Sequence, residues 1–193
     1  VYTNLFSTLP VGKARYGQDV ILPGMKFAVI DRSPVYGGKA VSYNETAAMK
    51  VPGVEKVIKI DGTPAPAKFA PQEGVAVVAK NTWAAMQGRL ALKTVWDDGP
   101  HKSYDSQAFH KEMAEAAAKP GQPVRARGDA DKALGSAAKV VTAEYYAPHL
   151  AHAPMEPPAA TANYANGKLE VWAPVQSPGG TRDDLAGKMK MKV

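Results

Sequence analysis

The sequence predicts an α+β protein built in two parts and joined by a linker, and three observations carry that reading. Short runs rich in β-forming residues alternate with short helical stretches up to Gly99. The stretch KPGQPVRARGD (119–129) has turn formers and charge but no apolar periodicity. Asn166-Gly167 sits between two alternating runs, the strongest short-range hairpin signal a sequence carries.

In the first part, ARYGQDV (14–20) and MKFAVIDR (25–32) read as strands divided by the breaker Pro23-Gly24. KAVSYN (39–44) is strand-like, and ETAAMKV (45–51) is a short helix stopped by Pro52-Gly53. VEKVIKI (54–60) is a strand with high β propensity at Val54, Val57, Ile58 and Ile60. DGTPAPAKFAPQEG (61–74), with three prolines and two glycines, reads as a surface loop. VAVVAK (75–80) is short, continuously apolar and bounded by turn signals, as a buried strand is. Asn81 or Thr82 caps TWAAMQGRLALK (82–93), where Trp83, Met86 and Leu90, with Ala84 and Ala91, make the apolar stripe. KTVWDDG (93–99) closes the unit with a strand.

In the second part, Ser106 caps the alanine-rich QAFHKEMAEAAAKPG (107–121), which Lys119-Pro120-Gly121 stops. Asp129 caps ADKALGSA (130–137), and AKVVTAEYYAP (138–148) alternates as a strand does. After the hairpin, TRDDLAGKMKMKV (181–193) reads as a helix running toward a new strand, and we expect the chain to be one piece of a larger fold. The apolar strand and hairpin of 138–175 have too few partners in the chain to bury both faces, so a second polypeptide is expected to cover them.

Composition narrows the chemistry. The 193 residues include no cysteine, which removes disulfides, thiolate metal sites, iron–sulfur ligation and cysteine nucleophiles from this chain. Any redox centre must be borrowed. The net charge of +6 is scattered among acidic residues rather than gathered on one face, and no nucleic-acid-binding motif is present. VYTNLFSTLP lacks the basic, apolar and small-residue succession of an intact signal peptide. No apolar run approaches the ~20 residues needed to span a bilayer.

The densest cluster of candidate residues is HAPMEPPAATANYANGKLEVWAPVQSP (152–178), in which prolines surround two short apolar runs and Gln176 follows the second directly. His149, His152 and Glu156 are metal-ligating types, but His and Glu four apart share a face only on a helix. Pro148, Pro154, Pro157 and Pro158 forbid that helix. Those side chains are better read as satisfying backbone groups in a tight loop. SPVYGGKA (33–40) lacks the first glycine of a phosphate loop and has Ala40 where Ser or Thr would stand. Asn44-Glu45-Thr46 matches a glycosylation acceptor by chance, and the adjacent Asp97 and Asp98 read as solvated charge in a turn.

Several ordered motifs carry a resemblance that covers nearly the whole chain from Val11 onward. Gly12-x-Ala14-x-Tyr16 with Asp19, Leu22-Pro23-Gly24-Met25, Arg32-Ser33-Pro34 and Val51-Pro52-Gly53-Val54 resemble the opening of the α/β-hammerhead domain. That domain belongs to the large, molybdenum-binding subunit of the xanthine oxidase family. VAVVAKNTWAAMQGRLALKTVWDDG resembles the domain's end. His152-Ala153-Pro154-Met155-Glu156-Pro157, Leu169-Glu170-Val171-Trp172-Ala173-Pro174 and Gln176-Ser177-Pro178 resemble the start of the molybdopterin-binding domain. The wording of TWAAMQGR and HAPMEPP is most similar to the isoquinoline 1-oxidoreductase and membrane-associated aldehyde dehydrogenase branch.

The resemblance implies a fold of an α/β-hammerhead domain (11–98), a helix and linker (99–128) and an incomplete molybdopterin-binding domain (129–193), with residues 1–10 unassigned. It implies part of a hydroxylase acting on aldehydes or N-heterocyclic aromatics. Its cofactor would be molybdenum-bearing molybdopterin, as the cytosine dinucleotide, shared with another chain. Implied partners are the remainder of the molybdopterin-binding polypeptide, a subunit holding the iron–sulfur clusters, and a cytochrome c as electron acceptor. The family location it favours is the periplasm. In this family the glutamine matching Gln176 hydrogen-bonds the molybdenum centre's oxygen ligands. An amide suits that task because it offers two N–H donors without charge. The family's glycine-rich loop and its catalytic glutamate have no match here, so no catalytic residue and no metal ligand is assigned to this chain. The alternative is a scaffold or assembly module that keeps the fold without turnover.

Overall fold

The computed structural model describes residues 16–64, 66, 70–154 and 156–192. Gly12, Ala14, Met155 and the unassigned residues 1–10 lie outside them. In chain order the elements are β1 (Phe27–Asp31), β2 (Lys39–Ser42), α1 (Glu45–Met49), β3 (Val54–Ile60), β4 (Gly74–Ala79), α2 (Thr82–Leu92) and β5 (Val95–Asp97). There follow α3 (Ser106–Ala117), α4 (Ala130–Gly135), β6 (Thr161–Ala165), β7 (Lys168–Trp172) and α5 (Pro178–Met189). The chain divides into two compact units, one of Lys26–Ala151 and one that joins the residues up to Met25 to His152–Val193. The α+β class expected from the sequence is what the described residues form.

In the unit of Lys26–Ala151, the apolar run of β4 forms the centre of a three-stranded antiparallel sheet in the order β1-β4-β3. Val29 and Val57 lie opposite Val77 on its two sides. Val75, Ala76, Val77 and Ala79 are all buried, because a strand covered on both faces has no polar side to show. β2 and β5 form a separate antiparallel pair in which Ala40 faces Trp96. The Glu73 carboxylate ties this pair to the sheet: Oε1 accepts from Ala40 N at 2.8 Å and lies 3.5 Å from Lys59 Nζ. Ala40, Ala48, Val75, Val77 and Leu92 make the larger apolar cluster, and Ala79, Ala84 and Ala85 make the smaller.

Helix α2 starts where expected, with Asn81 Oδ1 accepting from Ala84 N at 2.8 Å. Of the expected stripe, Ala84 is buried and Ala91 packs against the core, but its large side chains face outward. Ala84, Ala85, Gly88 and Leu92 face inward, whereas Trp83, Met86 and Leu90 are 70%, 41% and 61% exposed. The reason is distance. A Cβ on Gly88 would stand 2.7 Å from Val77 Cγ1 and 2.8 Å from Val54 Cγ2, so the helix crosses the sheet too closely for any bulky side chain.

Three other expectations change. Tyr16–Val20 is not a strand but a 3-10 turn over Gly17–Asp19, since Asp19 Oδ2 bends back to accept from Tyr16 N at 2.8 Å. Helix α3 is capped by Asp105, whose Oδ1 accepts from Gln107 N and Ala108 N, and Ser106 is the first helical residue. AKVVTAEYYAP forms no strand, because among the described residues no neighbouring strand supplies ladder partners. Ring contacts hold it to α3 instead, with Tyr146 stacked on His110 at 3.8 Å and His149 against Phe109 at 5.4 Å. Among the described residues, no helix is long and apolar enough to cross a membrane.

The helix crossing yields a quantitative expectation. Gly88→Ala should destabilise the protein by about 1–3 kcal/mol through overpacking against Val54 and Val77. Leu92→Ala, at a fully buried position, should cost about 2–5 kcal/mol through the cavity it leaves. Urea unfolding of the two variants checks both, and a Gly88→Ala variant as stable as the parent would contradict the close crossing.

Candidate cofactor-binding site

The site is built on the hairpin and the helix that follows it. Asn166 and Gly167 take φ of 52° and 74°, the pair of left-handed conformations that a two-residue turn matched to strand twist requires. The turn sets the register: Ala165 pairs with Lys168 and Thr161 with Trp172. With that register fixed, Leu169, Val171, Ala173 and Val175 fall at every second position and line one wall of a groove of about 470 Å³. Thr181, Leu185, Ala186 and Met191, from α5 and the residues after it, line the other wall, and Lys168, Arg182 and Lys192 add positive charge to the lining.

Gln176 lies on the connection between the two walls. Pro174 precedes it, and Pro178 follows at the first position of α5, where a missing N–H costs nothing. Val175 N donates to Ala173 O at 3.0 Å, and Thr181 donates to Ser177 O through both its backbone N and its Oγ1, each at 3.0 Å. The connection is therefore short and anchored at both ends. The Gln176 side chain is exposed and has no hydrogen-bond partner among the described residues. It stands beside the groove without lining it.

The donor chemistry fits an oxygen-rich anionic group such as molybdopterin. The Gln176 amide has two unengaged N–H donors. The first turn of α5 contains no acidic residue, and a side chain at Gly179 would meet nothing within 4 Å, so the positive end of the helix is open to approach.

The other sequence candidates are not brought together. His149 belongs to the unit of Lys26–Ala151, where its Nδ1 is 3.4 Å from Tyr104 Oη and its ring faces Phe109. Glu156 belongs to the other unit, and its Oε1 accepts from Gly17 N at 2.7 Å. That bond makes Glu156 a satisfier of a backbone group, the role expected for it. His152 is exposed. The partner of Glu156 escaped the sequence reading. Gly17 is 139 residues away and sits in a stretch read as a strand, and no local signal links the two.

The hairpin and the helix after it fall in a segment that known proteins share. Residues 109–193 match the family model described as the molybdopterin cofactor-binding domain. The chain is 30% identical to isoquinoline 1-oxidoreductase subunit beta of Brevundimonas diminuta, over 86% of this chain and 21% of that protein. It is 28% identical to the aldehyde oxidoreductase molybdenum-binding subunit of Escherichia coli O157:H7, over 94% of this chain and 27% of that one. In three dimensions it superposes on a chain of quinoline 2-oxidoreductase from Pseudomonas putida 86 with a TM-score of 0.64 at 23% identity, covering 97% of this chain and 28% of that one. The chain thus spans well under a third of the curated relatives it matches, 21% and 27% of these two. It is related to the large, molybdenum-binding subunits of the xanthine oxidase family, as its motifs indicated, and carries part of a molybdopterin cofactor-binding domain. These relatives are oxidoreductases.

The turn that sets the groove offers a direct check. Gly167→Ala places a Cβ in a left-handed conformation, at a cost of about 1–2 kcal/mol. Hydrogen exchange of the hairpin amides over 161–172 should accelerate in that variant and stay slow in Asn163→Ala, whose strand position makes no such demand.

Proposed function

We propose that this chain is part of a molybdenum-cofactor hydroxylase that oxidises aldehydes or N-heterocyclic aromatics, and that Gln176 is its contact to the cofactor. The observation that carries the reading is the exposed, unengaged Gln176 amide, anchored between Pro174 and Pro178 inside the segment that matches the molybdopterin cofactor-binding domain. Bound molybdopterin supplies the two-electron redox chemistry. Gln176 holds the group's oxygen atoms by N–H donation, and because the amide is uncharged it orients them without competing as an anionic ligand. The open end of α5 adds a favourable field for negative charge. The catalytic carboxylate comes from elsewhere in the holoenzyme.

Several finer points belong to the same proposal. The domain reading is an α/β-hammerhead over 11–98, a helix and linker over 99–128, and the molybdopterin-binding part over 129–193. The cofactor is the cytosine dinucleotide form, shared with further polypeptide. Since this chain has no cysteine, electrons leave through iron–sulfur clusters on a partner subunit, with a cytochrome c as acceptor and a periplasmic location. Exposed apolar side chains support the need for covering polypeptide: Val141 and Tyr145 are 79% and 93% exposed, and Leu150, Tyr164 and Val175 are exposed as well.

Two outcomes are expected. Gln176→Ala should lower molybdenum content or turnover of the assembled enzyme about 10- to 100-fold with little change in fold stability. Gln176→Glu should be worse, because a carboxylate has no proton to donate at neutral pH and repels an oxygen-rich group. Metal analysis and kinetics of both variants, with Asn163→Ala as control, decide the matter; unchanged activity in Gln176→Ala would place its side chain outside the site, and absence of molybdenum from the intact complex would favour the scaffold reading. Separately, the holoenzyme should bury well over ~1,000 Å² against 138–175, the scale of a specific contact. Isolation of the chain as a compact, soluble monomer with no copurifying polypeptide would count against that cover.

A further inference from the structure

The 3-10 turn at Gly17–Asp19 and the connection carrying Gln176 are remote in sequence yet meet at one glycine. Gly17 N donates to Glu156 Oε1 at 2.7 Å, and Thr161 Oγ1 donates to Gly17 O at 3.4 Å, so both polar groups of this residue are engaged from the far end of the chain. A Cβ on Gly17 would stand 3.1 Å from Ala159 O, 3.4 Å from Glu156 Oε1 and 3.7 Å from Pro174 Cδ. Pro174 is two residues before Gln176. Gly17 therefore lies against the start of the Gln176 connection, and Glu156 is the side chain that pulls it there.

We propose that Glu156 is a positioning residue for Gln176: its carboxylate seats Gly17 against Pro174 and so restrains the connection over 173–177 from behind. The inference rests on the reading of Gln176 as a cofactor contact. The chemistry suits the task. A carboxylate accepting from a backbone N–H forms a short, charge-assisted bond, and Glu156 and Gly17 are both half-buried, so water competes weakly for it. A Cβ at position 17 would be in ordinary contact with Glu156 Oε1 and Pro174 Cδ, and Ala159 O, at 3.1 Å, would have to give by a few tenths of an ångström, so the turn is seated closely against this segment. α5 restrains the connection on its other side through Thr181 and Ser177. A donor must be held to about half an ångström to be useful, and restraint from both sides supplies that.

The test uses the holoenzyme with Glu156→Ala, Glu156→Gln, Gly17→Ala, Gln176→Ala and the double variant Glu156→Ala/Gln176→Ala. Hydrogen exchange is followed in peptides covering 16–20 and 173–177, alongside molybdenum content and turnover. Glu156→Ala should speed exchange in both segments and reproduce part of the 10- to 100-fold loss expected for Gln176→Ala. The double variant should lose no more than Gln176→Ala alone, since the two residues act in series. Glu156→Gln keeps an acceptor oxygen and should restore slow exchange. Gly17→Ala crowds Ala159 O beside the same contact without changing charge and should speed exchange in both segments to a smaller degree than Glu156→Ala, which covers the case of a Glu156→Ala variant that does not fold. Unchanged exchange at 173–177 in Glu156→Ala and Gly17→Ala overturns the proposal, as do fully additive losses in the double variant. If Gln176→Ala is silent while Glu156→Ala still loosens 173–177, the restraint stands and the cofactor role of Gln176 is what fails.

Discussion

Where a helix crosses a sheet at less than one side chain's separation, a glycine must stand at the crossing, and Gly88 stands there between Val54 and Val77. That close approach decides much of the unit around it. It puts Ala84 and Ala85 on the sheet, drives Trp83, Met86 and Leu90 outward, and carries the end of α2 to Leu92, which is fully buried. Leu92 O then accepts from Asn44 N at 2.7 Å, so the end of one helix fixes the residue that caps α1. The small core is thereby sealed with few large side chains, the three largest fully buried being Leu92, Val75 and Val77. A core of alanines and valines buries modest area per residue, at ~25 cal/mol per Å² of apolar surface. Its packing must therefore be close to be effective, which is why a single methyl at Gly88 matters.

Features written in neighbouring residues were legible in the sequence. The continuous apolar run of β4, the Asn81 and Asp129 caps, and the Asn166-Gly167 turn each depend on chemistry within a few residues, and each formed where expected. The face of α2 was only partly legible from periodicity: Ala84 of the expected stripe is buried, but Trp83–Met86–Leu90 and Ala84–Ala85–Gly88–Leu92 both fit a helical repeat. Hydrophobicity favoured the first and interaxial distance selected the second. A glycine in mid-helix was the available signal. AKVVTAEYYAP shows the converse limit: alternation makes a strand possible, but a ladder needs a partner, and among the described residues the segment has rings against α3 rather than a neighbouring strand.

The candidate site divides along the same line. Its local frame, two prolines around Gln176 on the way from a hairpin to a helix, is readable residue by residue. The contact that backs this frame, Gly17 with Glu156, spans 139 residues and follows only from the folded chain. Glu156 drew notice as a metal-ligating type beside two histidines. The fold instead gives it a single backbone amide, while His149 packs on Tyr104 and Phe109 in the other unit. Residue type identified Glu156 as consequential, and topology decided what it does.

The state of the Gln176 amide also bears on how such a site is assembled. A donor left without a partner is expensive only when it is buried, where the desolvation cost is about 1–3 kcal/mol. Gln176 is exposed, so solvent is available to both N–H groups and leaving them without a protein partner carries no such cost. The apolar wall of Leu169, Val171, Ala173 and Val175 is in the opposite situation, since exposed apolar surface is the part that gains from being covered. Covering that wall would also withdraw the neighbouring amide from water. The donor would then require a fixed acceptor, and an oxygen-bearing cofactor held beside the groove provides one. Apolar burial and cofactor retention would in this way favour each other.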